Sequence, residues 1–429
     1  MRFLNTRTDP AERVTAALTQ SNSLDLPEVE AAARAVIEEV RRGGDAAVRD
    51  CLRRFDRVEL DELEVSAAEL DAAEALVDAE FIQAVETSIA NVRVFHEKQR
   101  RESWEWTENG ARLGQIIRPL ERVGVVVPAG KAPLPSTLIM AAVPARVAGV
   151  DEVIVCSTPG KDGAVSPYTL VAARRAGVDR VFKIGGAQSV AAMAFGTETV
   201  PKVDKIVGPG SPYTVLAKRL VYGHVDIESL PGPTEVLVIA DDTANPRWIA
   251  ADLLSQAEHG ADSLAVLLTP SEALGRAVAA EVERQIPGLS HADTLRACVR
   301  EHGWVIVTRD LEEACELANR CAPEHLELVV EDPDAWLPRI RHAGAVFIGG
   351  YTPEPVGDYV AGPSHILPTG GTARFSSPLH LDDFVKKISV LRYTRERFER
   401  EAAHVIRLAE AETLDAHANA IRVRLEGGA

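Results

Sequence analysis

VGVVVPAG (123–130), DEVIVCS (151–157), RVFKIGG (180–186), DKIVGPG (204–210) and EVLVIAD (235–241) are short β-branched runs. STLIMAAVPARVAG (136–149), YTLVAARRAG (168–177), SVAAMAFG (189–196) and PYTVLAKRLV (212–221) lie between them and read as helices. A strand tolerates apolar residues at every position only when it is buried on both faces, so this alternation predicts a parallel sheet covered by helices on two sides. Ligands of such sheets bind beyond the C-terminal strand ends, which here carry Pro128 to Lys131, Gly185 to Gln188 and Gly208 to Ser211. These Gly-bearing loops suit a phosphate or a ribose. The usual dinucleotide fingerprint is missing, however: no G-x-G-x-x-G follows the first strand, and the second ends in Cys156-Ser157 where a ribose-binding acid is expected. On these residues a nucleotide site and ordinary Gly-rich punctuation both stay open.

A second alternating block runs from about 236 to 350, with SLAVLLT, GWVIVT, LELVVE and GAVFIGG as further strands and PRWIAADLLSQAEHG among the helices. The fold class expected is therefore α/β, with two Rossmann-like parallel-sheet units. Residues 1–118 read as a mostly helical region packing on the catalytic unit, 119–236 as a nucleotide-binding domain and 237–380 as a second α/β domain carrying the chemistry. A loop rich in Gly and Pro spans 350–380, long enough to imply a function. Residues 381–429, VKKISVLRY and then RERFEREAAHVIRLAEAETLDAHANAIRVRL, read as a helical arm suited to dimer contacts.

The 429 residues hold 47 Lys plus Arg against 64 Asp plus Glu, a formal charge of −17, which argues against a general grip on nucleic acid or an anionic membrane. Five cysteines without a C-x-x-C pair fit neither a disulfide framework nor a thiolate zinc finger, and a reducing cytoplasm is expected. MRFLNTRTDP has no apolar core of a leader, and STLIMAAVPARVAGV is broken by Pro144 and Arg146, so a soluble, unexported protein is expected.

Nine of the eleven histidines lie at or beyond His259. In LLSQAEHG, Gln256 and His259 are three apart near a helix end and share a face, so they can converge on one ion. In CAPEHLELVV, Glu324 and His325 put two proton acceptors of different basicity at the entrance to a strand. The 353–378 loop contributes Asp358 and His365, and the tail contributes Glu412 and His417, whose spacing on one helix would make them diverge. Each motif alone is also explained as a solvated helix face or loop. Together, His259, His417, Asp358 and Gln256 would form a nitrogen and oxygen shell without sulfur, which zinc accepts.

At these motifs the chain resembles the histidinol dehydrogenase family from about residue 25 to 425. The resemblance is carried by PAGKAPLPST, KIGGAQSVAAMAFGTETVPKVDKIVGPG, GPTEVLVIAD, AADLLSQAEHG, APEHLEL, GDYVAGPSHILPTGGTARFSSPL, DDFVKK and AEAETLDAHANA. It implies an aldehyde-dehydrogenase-like pair of sheets and a homodimeric, zinc-dependent enzyme that oxidises L-histidinol through an enzyme-held aldehyde to L-histidine with two NAD. The implied zinc ligands are Gln256, His259, Asp358 and His417, which would also touch substrate, and the implied proton acceptors are Glu324 and His325. Thr234, His365 and Glu412 would complete the substrate contacts, with the tail residues reaching the partner's site. The implied NAD positions are Val126, Gln188 and Ser211.

Several positions depart from the family pattern. Val126 replaces a Tyr, Ser211 an Asn, Ala129 a Gly and Thr234 a Ser. Losing an aromatic wall or a hydrogen-bonding arm weakens cofactor binding by on the order of 1 kcal/mol each. Two other readings follow: a related zinc and NAD dehydrogenase for another small polar alcohol such as a sulfonated propanediol, and a zinc-bound homologue without catalysis.

Overall fold

The computed structural model describes residues 1–19, 26–129 and 132–427. Gly130 and Lys131, part of the first expected phosphate loop, lie outside the described residues. No described helix is long and apolar enough to cross a membrane.

Strand β1 (Arg2–Asn5) opens the chain, and β2 (Trp104–Glu108) and β3 (Ala111–Pro119) follow the N-terminal helices. Next come β4 (Arg122–Val127), β5 (Glu152–Ser157), β6 (Arg180–Phe182), β7 (Lys205–Val207) and the short β8 (Asp226–Ile227). Then follow β9 (Glu235–Ala240), β10 (Leu264–Thr269), β11 (Gly303–Val307), β12 (His325–Val329), β13 (Ala345–Ile348) and finally β14 (Val385–Tyr393).

Contacts divide the chain into two compact units, one of Met1–Gln99 with Leu120–Phe384 and one of Arg100–Pro119 with Val385–Ala429. The first holds both expected parallel sheets, ordered β6-β5-β4-β7-β8 and β1-β11-β10-β9-β12-β13. Alternation along β4 sends Val123, Val125 and Val127 to the face covered by the helices Pro135–Ala148 and Pro167–Ala176. Val126 goes to the other face, among Ile154, Cys156, Phe182 and Met193, where the N-terminal helix Pro27–Cys51 packs on the helices Gly186–Phe195 and Pro212–Val221. The N-terminal helical region thus completes the covering of the first sheet. In the second sheet Leu237, Ile239, Leu326 and Leu328 share one face with the helix Leu311–Cys321. Val236 and Val238 share the other with the helix Pro246–Ala257.

Helices dominate both chain ends as expected, with four differences, the first being that Trp104–Glu108 and Ala111–Pro119 are paired antiparallel strands. Arg2–Asn5 is a strand that pairs with β11 and forms an edge of the second sheet. VKKISVLRY (385–393) is a strand, not a helix; its β-branched residues pair antiparallel with β3 over nine positions, from Val385↔Pro119 to Tyr393↔Ala111. Short apolar runs do not declare their own period, and here the distant partner decides it. Glu412 and His417 are not on one helix, because the left-handed Thr413 (φ 57°) separates Arg395–Ala411 from Asp415–Leu425. The 350–380 loop also contains a short helix, Glu354–Tyr359.

One buried ion pair anchors the loop after β7. Lys218 Nζ lies 2.6 and 2.7 Å from the Glu228 carboxylate oxygens and donates to Gly208 O at 3.0 Å, while Gly208 N donates to Glu228 Oε1 at 2.8 Å. Both side chains are almost wholly buried, at 0 and 3% exposure. Gly208 has φ 112°, and a Cβ there would meet Val126 O at 2.2 Å, so the loop requires glycine. Removing one member of such a pair leaves an uncompensated charge. Lys218→Met should therefore lower the unfolding free energy in denaturant titrations by about 3–5 kcal/mol. The double variant with Glu228→Gln, which keeps an acceptor for Gly208 N, should recover more than half of that loss.

Candidate active site

Strand alternation builds the site. Leu326 and Leu328 point to one face of β12, so His325 and Glu327 point to the other, beneath the helix that carries Asp252 and Gln256. His325 is 3% exposed, and its Nδ1 sits 3.0 Å from Glu235 O. A carbonyl only accepts, so Nδ1 carries the hydrogen and Nε2 is left to the cavity. Around Nε2 lie Asp358 Oδ1 at 3.7 Å and Glu354 Oε1 at 3.9 Å, with Glu324 Oε2 3.6 Å from Nδ1. Burial works against the imidazolium, but the carboxylates of Glu324, Asp358 and Glu354 outweigh it and raise His325 to about 10.

Glu324 is buried, and burial raises its proton affinity. Its Oε2 accepts from Thr234 Oγ1 at 2.5 Å and Glu235 N at 3.0 Å. Thr234 Oγ1 also lies 2.7 Å from Gln256 Oε1, and its single hydrogen serves one of these two oxygens at a time. His365 Nδ1 contacts Asp358 O at 3.0 Å and Nε2 contacts Thr137 Oγ1 at 3.2 Å; burial lowers its proton affinity. Burial alone would raise Asp358, yet the neighbouring imidazoles of His325 and His365 reverse this and hold it well below the usual carboxylate range.

One cavity of about 200 Å³ gathers these groups: Thr234, Gln256, His259, Glu324, His325, Asp358 and His365 all line it, with Pro128 and Pro209 from the first sheet's loops. It is lined both by loops of the first sheet and by strand ends and loops of the second. No cysteine lines it. A second cavity of about 480 Å³ is lined by Gln188 and Ser211, two of the three expected NAD positions. Val126 does not line it; its side chain is 3% exposed within the core. Glu412 and His417 lie in the second unit and are exposed in the single chain.

The structure adds acids that the motifs did not single out. Glu354, on the same short helix as Asp358, completes with His325 and Asp358 a group whose potential ligand atoms all lie within 4.8 Å of one another. Its Oε2 accepts from Ser255 Oγ at 3.1 Å, and its N donates to Glu327 Oε1 at 2.9 Å. Glu327 and Asp252 are neighbouring acids, and burial raises the proton affinity of both. Glu235 accepts from Glu324 N at 3.1 Å and Gly370 N at 3.0 Å. The spacings were readable: Glu354 is one helical turn before Asp358, and Glu327 is two residues after His325 on a strand.

A family model described as histidinol dehydrogenase matches residues 19–425. The histidinol dehydrogenase of Heliobacterium mobile is 52% identical over 410 residues, covering 95% of this chain and 96% of that protein. That of Geobacter metallireducens is 50% identical over 432 residues, covering 100% and 99%. The crystal structure of histidinol dehydrogenase from Elizabethkingia anophelis superposes with a TM-score of 0.93 at 36% identity, covering 99% of this chain and 98% of that one.

The buried acids set a pH dependence. Burial first, and then the charge of Glu324, raises Glu235 from 4.5 to about 8; burial and Asp358 raise Glu354 likewise to about 8. Between 4.5 and 8 the folded chain holds protons that the unfolded chain has released, so stability falls as pH rises. His325, raised from 6.5 to about 10, acts in the same direction above pH 6.5. Chelator-treated protein should thus be less stable to denaturant at pH 8 than at pH 5. Glu235→Gln should flatten that fall.

Proposed function

This chain belongs to the histidinol dehydrogenase family, and we propose that it oxidises L-histidinol by way of L-histidinaldehyde to L-histidine, the last step of histidine biosynthesis, reducing two NAD. The observation that carries this reading is the single cavity in which seven site residues meet. Its small volume and its carboxylates suit a substrate with an ammonium group and an imidazole. We place the enzyme in the cytoplasm as a homodimer.

Zinc fits the residues present. Gln256, His259 and Asp358 offer amide, imidazole and carboxylate donors on one cavity wall, and His417 is the fourth ligand on family grounds. Gln256 Nε2, His325 Nε2 and Glu354 Oε1 are buried without a hydrogen-bond partner, an arrangement suited to a polar or ionic guest. A bound zinc supplies a Lewis-acidic anchor for the substrate's imidazole and amine. The chain's own groups carry the protons. As the alcohol carbon gives its hydride to the first NAD, the hydroxyl proton passes to Nε2 of neutral His325, the nitrogen that the Nδ1 contact with Glu235 O leaves to the cavity. Glu324 takes a proton from the water that adds to the aldehyde; the hydrate anion so formed gives a second hydride to a second NAD, and the resulting acid loses its remaining proton to solvent as the carboxylate product. Thr234 positions Glu324 by donating its hydroxyl hydrogen to Oε2. His365 and Glu412 contact the substrate. The dinucleotide lies against Gln188 and Ser211; Val126 gives it no side-chain contact.

Zinc-loaded protein mixed with histidinol and NAD should yield two NADH per histidinol, and no turnover at any reasonable cofactor concentration would sink the reading. His259→Ala should lose bound zinc by metal analysis and at least about a hundredfold in kcat. Retained metal stoichiometry would refute that ligand. Glu324→Gln should slow oxidation of the aldehyde about 10²-fold or more, and the alcohol step less.

A further inference from the structure

The first sheet lacks the acid that holds a ribose in most dinucleotide folds: β5 ends in Cys156 and Ser157, both buried. The 480 Å³ cavity supplies a carboxylate from elsewhere. Its wall opposite the Gly186–Gln188 and Ser211–Tyr213 segments is the turn Arg54–Arg57, from the N-terminal helical region. There the helix widens into a π turn over Leu52–Asp56 and stops at Arg57, in the left-handed region at φ 58°. Asp56 is thereby turned inward. Its Oδ2 lies 3.2 Å from Gln188 Nε2, itself 3% exposed, and this leaves acceptor capacity on the carboxylate.

The surroundings match a nucleotide. Gly186 and Pro212 begin helices of ten residues with no acidic residue in the first turn, and Gly186, Ala187, Ser211 and Tyr213 of these starts line the cavity, where first-turn backbone N–H groups suit a pyrophosphate. Phe55 and Tyr213, 56 and 49% exposed, offer aromatic faces to a base. Pro209 lines the active-site cavity two residues before Ser211 lines this one, so the Lys218-anchored loop borders both.

We propose that Asp56 is the ribose-binding acid of the dinucleotide site, accepting the hydroxyls of the adenosine ribose and thereby selecting NAD over NADP. A 2′-phosphate would remove one donor and set its charge against the carboxylate. The inference rests on the reading that the dinucleotide occupies the cavity of Gln188 and Ser211.

The test is titration calorimetry of the zinc-loaded protein with NAD and with NADP, without histidinol. Asp56→Asn should weaken NAD about tenfold while leaving NADP unchanged or tighter, as expected for hydrogen bonds to a charged acceptor. Equal weakening of both cofactors, or no change in either, overturns the proposal. Ser211→Trp, which fills the cavity, separates the two readings. If it abolishes NAD binding while Asp56→Asn changes nothing, only the role of Asp56 fails; if it leaves NAD binding intact, the cavity assignment fails and the proposal with it. Should Asp56→Asn not fold, the unaltered protein decides through NAD carrying 2′-deoxyadenosine: about tenfold weaker binding supports the proposal, and affinity equal to that of NAD overturns it.

Discussion

The hydrogen bond from His325 Nδ1 to the Glu235 carbonyl, at 3.0 Å, is the constraint from which the site is organised. It joins the first residues of β9 and β12, paired in parallel with His325 opposite Val236. It also fixes which imidazole nitrogen faces the cavity. The side chain of Glu235 extends the same knot by accepting the amides of Glu324 and Gly370, which ties the second acceptor and the 350–380 loop to one strand end. A register slip of one residue would turn His325 into the core face and Leu326 into the cavity.

Around that knot the electrostatics are arranged against the ordinary preference of carboxylates for water. Glu235, Glu324, Glu327 and Glu354 are all buried, and burial is the leading cause that raises each of them. Asp358 escapes because two imidazoles lie beside it. Such a concentration costs folding free energy, so it is kept for a reason other than stability, and the cationic substrate and metal we propose provide one. The net charge of −17 has the same sign as this local field. The cavity of Gln188 and Ser211 is lined instead by helix starts and the Arg54–Arg57 turn, with none of these four glutamates in its wall.

Much of this was legible in the chain, and the failures are instructive. Continuous apolar runs in β4, β5, β9 and β10 announce parallel strands because burial on both faces leaves no alternation to misread. Gln256, His259, Glu324, His325, Asp358 and His365 were reached from their motifs and Thr234 from the family resemblance, and the structure brings all seven to one cavity. Glu354, Glu327 and Asp252 were missed because isolated acids in an acidic chain carry no signal until a strand or helix face aligns them. Val385–Tyr393 was misread because its strand period is imposed by β3, a partner invisible to any local window.

That last pairing bears on synthesis. The β2 and β3 strands leave the ribosome early, but the third strand of their sheet follows only after Leu120–Phe384 has been made. At about 5–20 residues per second, that delay is roughly 15 to 50 s. Throughout it, one edge of β3 offers unpaired amides and carbonyls to any passing strand, beside Trp104 and Trp106, which stay half-exposed even in the finished fold. The nascent chain is therefore most prone to wrong association at its own hairpin, while its catalytic unit is still being translated.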